Sequence, residues 1–469
     1  MLTSLSGINK LKVLFIGDND LISRRFNGYD YYESLLDYNI ESSMLVKEKL
    51  SDSHFVHCLN YSIGNFTVSI IKNKHFFDAD IVHLHLIHNT PFDINYLPLI
   101  TRLKPTIITL HDPFFLGAHC IYFFGCEQWK HHCADCQYLD VPFVIKNDDT
   151  ALNFATKNIA INNSNISAIV ASDWMNNLVK QSPIWNNKHI YKLPFGINQN
   201  IFKPYNIHDA KIRLGIDKNS ITLMFRSQDN PYKGMDIIKY ALNNITCNQK
   251  ITLITVGQKG LLNAYKNIFT IKEFEWVTDD IFLSQLYQAA DIFLMPSIQE
   301  TFGLMAVEAM GCGKMVLATK NTALEKVINH PECGIAVEHN AEIFTNELQR
   351  LLNNMDETKE RGERCLEFAK NTYLNDVFFL NLVDIYKDTI ERFKNRTLDS
   401  TTKDTDLILS QLKKYHIDYT LSSNEFQNQN KYLKKSPGVK NALLIFLRII
   451  IPSKKLRKKL RNMFSSESK

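Results

Sequence analysis

No stretch of this chain stays apolar for the roughly 20 residues that a membrane-crossing helix needs. The longest run near the end, 442–451, is interrupted by Arg448 and falls well short. The first ten residues lack a basic start followed by an apolar block, and 12–17 already reads as a buried strand, so no export leader is expected. Without one, the nine cysteines, an odd number, are expected to remain reduced rather than to form disulfides. Acidic residues are missing from 431–463, where eleven Lys and Arg stand. That local excess accounts for the formal net charge of +5 and leaves the rest of the chain mildly acidic. A nucleic-acid groove would instead spread basic residues over a folded face, so nucleic acid is not an expected partner. No short-period repeat is present. These absences leave a cytoplasmic globular protein as the expected class.

What is present fits that class. A hydrophobic share of 45% and a charged share of 22% are ordinary for globular chains. A length of 469 residues allows two or three domains at roughly 150 residues each. Short β-branched runs alternate with helical stretches, the βαβ rhythm of a parallel sheet covered on both faces. In the first half these runs are 12–16, 81–85, 106–110 and 168–171, and the rhythm restarts with 221–225, 251–256, 292–295 and 315–318. The fold class is therefore α/β, with two Rossmann-like doubly wound domains. They join near 193–204, a Pro- and Gly-rich segment that reads as an exposed linker. A helical region, 342–393, follows, with Phe378, Leu382, Ile385 and Ile390 at helical spacing. From 396 to 430 the composition turns polar and rich in Ser, Thr and Asn, which predicts a spacer, and 431–469 reads as a basic amphipathic tail.

The stretch 295–313 carries most of the chemistry. A strand ends at Pro296, a short loop holds Glu300, and a helix is expected to begin near Gly303. Free N–H groups and the positive end of the helix dipole around Phe302, Gly303 and Leu304 would receive a diphosphate. Glu308 lies roughly 7 to 8 Å further along the axis at 1.5 Å per residue. The two carboxylates can thus hold opposite ends of one extended ligand, Glu308 at a ribose and Glu300 at a transferred sugar. An isolated pair would read as a helix cap and a solvated helix residue. Glu308, however, sits within the apolar run 305–310, where a bare charge costs several kcal/mol unless it is partnered.

This stretch resembles the E-x7-E signature of retaining glycosyltransferases of family 4, the glycosyl transferases group 1, which have the GT-B fold of two Rossmann-like domains facing a cleft. The resemblance covers both domains and the helix that follows them. It implies that 1–195 is an acceptor domain, that 205–370 is the nucleotide-sugar donor domain, and that 371–395 is a helix packing back toward the first. It further implies that Arg226 and Lys233, in the stretch 225–234, hold the pyrophosphate and stabilise the charge of the departing nucleoside diphosphate. As a lone pair they would read as surface cations. His111, in Thr109-Leu-His-Asp-Pro after a strand, is implied to touch the donor sugar, the alternative being a histidine satisfied by loop hydrogen bonds. Gly28, in Arg25-Phe-Asn-Gly-Tyr, resembles the glycine loop where backbone approaches the donor, though many loops hold such a glycine for a plain turn. His83, His85 and His88 read as mostly structural, with His88 as the exception because it lies past its strand.

Cys120, Cys126, Cys133 and Cys136, with His119, His131 and His132 nearby, resemble a structural zinc clip through their Cys-x2-Cys half, and plain core cysteines are the alternative. A comparable Cys-rich loop occurs in a subset of these transferases acting in colanic-acid-like exopolysaccharide pathways. Asp18-x-Asp20, Asp78-x-Asp80 and Asp404-x-Asp406 match a triplet that holds a divalent cation in the other large transferase fold. They read as ordinary acids, because Arg226, Lys233 and a helix N-terminus already supply positive charge. A reaction that needs no metal or other catalytic cofactor is expected. The tail from Lys431 to Arg461 joins an apolar block to a polybasic one. It is expected to dock on anionic headgroups at the inner face of the plasma membrane, or else to form an ordinary helix with a solvated basic end.

The expected reaction is transfer of a hexosyl group from a GDP- or UDP-sugar to a glycan or lipid-linked acceptor, with retention of configuration, in bacterial surface polysaccharide biosynthesis. Base contacts are expected near 274–277. Two other classes stay open: a sugar-nucleotide epimerase or hydrolase, which would form product without an acceptor, and a non-catalytic nucleotide-sugar-binding protein.

Overall fold

A computed structural model describes residues 10–61, 65–140 and 145–396. Most of the spacer, the basic tail and the Asp404 triplet lie outside these residues. Packing divides the chain into a main unit, 1–67 with 79–395, and a small unit, 68–78 with 396–469. Of the small unit, 68–78 is described and contains the helix Lys74–Asp78. Everything below concerns the main unit.

Two parallel sheets are present among the described residues. The first comprises β1 (Leu11–Asn19), β2 (Ile40–Glu48), β3 (Val56–Cys58), β4 (Ile81–His85), β5 (Thr106–Thr109), β6 (Ile166–Val170) and β7 (His189–Lys192), in the order β3-β2-β1-β4-β5-β6-β7. The second comprises β8 (Ile221–Ser227), β9 (Ile251–Gly257), β10 (Thr270–Phe274), β11 (Ile292–Met295), β12 (Met315–Thr319) and β13 (Ile335–Val337), in the order β10-β9-β8-β11-β12-β13. Central strands are buried along most of their length, as Val13–Ile16 on β1 and all of β4 are, which is why they read in the sequence as continuous apolar runs. Each large apolar side chain so enclosed contributes about 1.5–3 kcal/mol. In each sheet the strand order reverses next to the first strand, at β1/β4 and at β8/β11. Ligands of open α/β sheets bind outside the carboxyl ends of strands at such points. The loops carrying Arg25 and Gly28, His111, Lys233, and Glu300 all leave carboxyl ends, those of β1, β5, β8 and β11, and Arg226 stands at the carboxyl end of β8 itself.

The expectation of an exposed linker at 193–204 is corrected. Leu193, Phe195, Ile197 and Phe202 are all buried. The segment lies against the second crossing between the domains: Ile197 N–H donates to the Tyr373 carbonyl at 3.0 Å, and Ile197 bridges Leu374. A Cβ on Gly196 would come within 2.7 Å of Asn375 Cα, so this close approach requires glycine. The single helical region predicted over 342–393 is three helices, Ala341–Asn353, Met355–Thr372 and Asn375–Lys394. Asn340 and Asn354 accept N–H bonds at the starts of the first two. The third returns to the first sheet, where Phe378 and Phe379 meet the edge of Tyr31, and Tyr386 bonds His83.

Candidate functional site

Strand β8 delivers Arg226 to its carboxyl end, and the turn Pro231–Lys233 follows, opened by the Asn230 side chain accepting from Tyr232 N–H at 2.9 Å. Gly234 takes φ +71°, and a Cβ there would lie 2.0 Å from the Pro296 carbonyl oxygen. The loop after β8 therefore rests directly on the loop after β11. That contact sets Lys233 Nζ 3.0 Å from Glu300 Oε2, with both side chains largely enclosed. Burial lowers the Lys233 pKa, but Glu300 and Tyr122 more than offset it, so the net shift is upward and the ammonium is held charged. Burial lowers the Arg226 pKa, opposed by Glu300, Tyr122 and Tyr287. The Arg226 guanidinium lies 4.9 Å from the centre of the Trp276 ring.

The helix Leu304–Gly311 begins after Gly303, whose φ is +96° and whose missing Cβ would lie 2.4 Å from Leu324. Leu304 is half-buried at its first turn. The Phe302 side chain is buried, with its ring in T-shaped contact with those of Phe195 and Tyr373. Only its backbone remains available to a ligand. Glu308 is completely buried and fully partnered. Its Oε2 accepts from Tyr287 Oη at 2.9 Å, and its Oε1 accepts from Arg25 Nη1 at 3.0 Å. Burial raises its pKa, and Arg25 and Tyr287 pull it down. Arg25 comes from the loop after β1 and also donates through Nε to Asp280 at 2.9 Å, while Arg24 donates to Asp30 at 2.8 Å and pairs with Asp280 at 3.0 Å.

Arg25, Asp280 and Tyr287 were missed as functional residues. A buried glutamate in an apolar run demands a cation and a donor, but nothing in the spacing says which of 54 Lys and Arg supplies it. Arg226 interacts with both Glu300 and Tyr287, and Tyr287 bonds Glu308. Arg226, Lys233, Glu300 and Glu308 are thus linked by one network of contacts beyond the carboxyl ends of β8 and β11.

The first domain contacts this network through Arg25 and its neighbours. Gly28 has φ +101°, and a Cβ there would lie 2.6 Å from the Phe15 ring, so packing alone demands glycine at this position. His111 lies between Phe26 and Phe195, and its carbonyl accepts from Thr301 Oγ1 at 2.8 Å. Burial pushes its pKa down to about 3, against the raising effect of Asp112, so the ring is neutral. His83 fills a structural role, with Nδ1 2.8 Å from Tyr386 Oη and Nε2 2.7 Å from Thr109 Oγ1. His88, expected to be the exception, is engaged by Asp112 at 3.2 Å and stacked on Phe114. It is His85 that reaches His111, at 3.0 Å.

The cysteine loop lies in the same domain. Cys136 Sγ is 3.5 Å from His119 Nε2, and burial, reinforced by the neighbouring thiols, pushes Cys120 up to about 12 and Cys133 up to about 11. Among the described residues no group of three or more His, Cys, Asp or Glu side chains stands where it could hold a metal ion. Asp18 pairs with Lys47, and Asp20 accepts from Leu50 and Ser51 N–H at 2.7 and 3.0 Å. Asp80 accepts from Lys12 N–H at 2.8 Å. Among the described residues no helix is long and apolar enough to cross a membrane.

Residues 206–373 match the family described as glycosyl transferases group 1. The chain is similar to the D-inositol 3-phosphate glycosyltransferase of Segniliparus rotundus, 29% identical over 157 residues, which are 31% of this chain and 35% of that one. It is also similar to the corresponding protein of Thermobispora bispora, 26% identical over 214 residues, 42% of this chain and 50% of that one. The matches with these two curated relatives thus span half of their length or less. In fold it is similar to a sucrose-phosphate synthase from Thermosynechococcus elongatus, with TM-score 0.63 at 16% identity, covering 81% of this chain and 99% of that one. A glycosyltransferase from Rickettsia africae gives TM-score 0.60 at 18% identity, covering 83% and 100%. Anabaena HepE in complex with UDP and glucose gives 0.56 at 16% identity, covering 81% and 100%. The segment 206–373 therefore carries the features of glycosyl transferases group 1, on a chain with the two-sheet GT-B fold.

Proposed function

We propose that this chain is a retaining hexosyltransferase that needs no metal, moving a sugar from a nucleoside diphosphate-sugar to a glycan or lipid-linked acceptor in surface polysaccharide synthesis. What supports this reading is the contact network that links Arg226, Lys233, Glu300 and Glu308 beyond the carboxyl ends of β8 and β11. Two half-buried cations fit a diphosphate, and Glu300 fits hydroxyls of the sugar beyond it. In the reaction the bond from the anomeric carbon to the diphosphate oxygen breaks, and the bond to the acceptor oxygen forms on the same face. The acceptor proton passes to the leaving phosphate, whose growing charge Arg226 and Lys233 stabilise. Ribose binding at Glu308, which is completely buried, requires the side chains that cover it to move, Arg25 among them. HepE, described with UDP and glucose, favours UDP- over GDP-sugars as the first donors to test. The basic tail, Lys431 to Arg461, would hold the enzyme at an anionic surface beside a lipid-linked acceptor.

A panel of nucleotide sugars, screened for binding by thermal shift and then for turnover with glycan and lipid-linked acceptors, tests this. Turnover that needs an acceptor and is lost in Arg226→Ala and Lys233→Ala supports it. Product formed without any acceptor favours a hydrolase or epimerase. Binding without turnover on any acceptor favours a non-catalytic binding protein.

A further inference from the structure

His85 is completely buried on β4, flanked by the Phe15 and Tyr31 rings and lying 4.0 Å from the His83 ring. Its Nδ1 is 3.0 Å from His111 Nε2, and its Nε2 is buried without any hydrogen-bond partner. Both rings are neutral, since burial holds their pKa values well below the ordinary range. Each ring therefore carries one N–H, and one of the two facing nitrogens must donate to the other.

Two arrangements satisfy the 3.0 Å contact. If His111 donated, His85 would have to carry its own proton on Nε2, where the N–H would be buried with no acceptor. If His85 donates from Nδ1, its Nε2 keeps only a lone pair. A buried orphan donor is the rarer and costlier defect, so the second arrangement is favoured. It leaves His111 with an occupied, unprotonated Nε2 and its proton on Nδ1. His111 is only half-buried, and its Nδ1 bonds no described residue and is not among the buried unpartnered atoms. That nitrogen is therefore accessible to a ligand.

We propose that His85 is a positioning residue that fixes the tautomer of His111, so that His111 offers an Nδ1–H donor, and never an acceptor, to a hydroxyl of the transferred sugar. This rests on the reading of the crevice as a sugar-transfer site. It implies a preference for donor sugars with an oxygen, rather than a bare carbon, at the position that His111 faces.

Nitrogen-15 NMR of the full chain labelled in histidine, with the His111 signals identified by their loss in His111→Gln, reads the tautomer directly. The expected result is a pyrrole-type Nδ1 and a pyridine-type Nε2. In His85→Phe the His111 signals should move toward the other tautomer, and kcat should fall about tenfold or more, as for loss of one hydrogen bond in the transition state, with nucleoside diphosphate affinity unchanged. A wild-type His111 protonated on Nε2 overturns the proposal, as does a His85→Phe enzyme with wild-type tautomer and rate. If that variant does not fold, the wild-type spectrum alone decides. An Nδ1–H in a protein that transfers no sugar overturns the proposed function while leaving the tautomer assignment standing.

Discussion

At the scale of single residues, the crevice is governed by buried charge that is paired rather than merely present. Replacing Arg226 or Lys233 by Ala is expected to lower transfer by at least about 10²-fold, the size found when one fixed donor to a developing anion is removed. Steady-state kinetics with the preferred donor checks this. Arg25→Ala leaves the buried Glu308 carboxylate with Tyr287 as its remaining partner, which should destabilise the fold by about 3–5 kcal/mol near neutral pH. The Glu308 pKa is already raised by burial, and losing Arg25 raises it further. A group whose folded pKa is raised contributes most when protonated, so the deficit of Arg25→Ala should shrink as pH falls from 8 toward the ordinary carboxylate value of 4.5. Denaturant titrations at several pH values would show it, and a deficit independent of pH would refute it.

Lys157 gives an opposite case. Its Nζ donates to the Phe114 and Gly117 carbonyls at 2.6 and 3.0 Å, and burial depresses its pKa to about 7. Between that value and the ordinary 10.5 the unfolded chain binds the proton and the fold does not, so this residue's contribution to stability rises with pH. Wild type should gain more stability than Lys157→Met between pH 7 and pH 9, and equal slopes would contradict this.

Among the elements, the loops matter more than the strands that carry them. Strands β8 and β11 bring Arg226 and the Glu300 loop to one edge, but contact between the two loops depends on Gly234 against Pro296. Gly234→Ala combines a left-handed φ with a Cβ 2.0 Å from a backbone oxygen. A loss of stability of about 1–3 kcal/mol, the cost of holding a non-glycine residue in the left-handed region, is expected, together with lost transfer as Lys233 moves off Glu300. Thermal unfolding and turnover measured side by side check both. The paired interdomain crossings at Ile197 and Leu374 are the other decisive element, because burial of Phe195 places an aromatic side chain beside His111 as well as in the hinge.

For the whole molecule, the two sheets meet through a few polar contacts: Arg25 to Asp280 and Glu308, Thr301 to the His111 carbonyl, Ser172 to the Thr301 carbonyl at 2.6 Å, and Phe123 N–H to Gln299 at 3.1 Å. Charged contacts join them, Arg24 to Asp280 and Lys326 to Asp173 beside those of Arg25, and Arg25 occupies the carboxylate proposed for the ribose. Domain opening is thus the expected first step of donor entry. Arg25→Ala should show a larger radius of gyration by small-angle scattering than wild type. Identical curves would mean that the remaining contacts hold the crevice shut by themselves.

What the sequence determined alone were the features set by local periodicity and by short motifs. The buried central strands, whose apolar runs need no partner to be seen, read directly, as did the strand-loop-helix around Glu300. The edge strands β3, β7, β10 and β13 did not, being short or only partly buried, and neither did β2, whose apolar residues are interrupted by Glu41, Ser42 and Ser43. The linker read as exposed because its Pro and Gly content describes local conformation, whereas its burial arises from the pairing with Leu374, far along the chain. Tertiary structure alone decided which cation meets Glu308 and which histidine backs His111, residues 283 and 26 positions apart respectively. Such pairs obey no spacing rule. They exist because a buried charge or ring nitrogen must find a partner in three dimensions, and only the packed sheets determine which one is within reach.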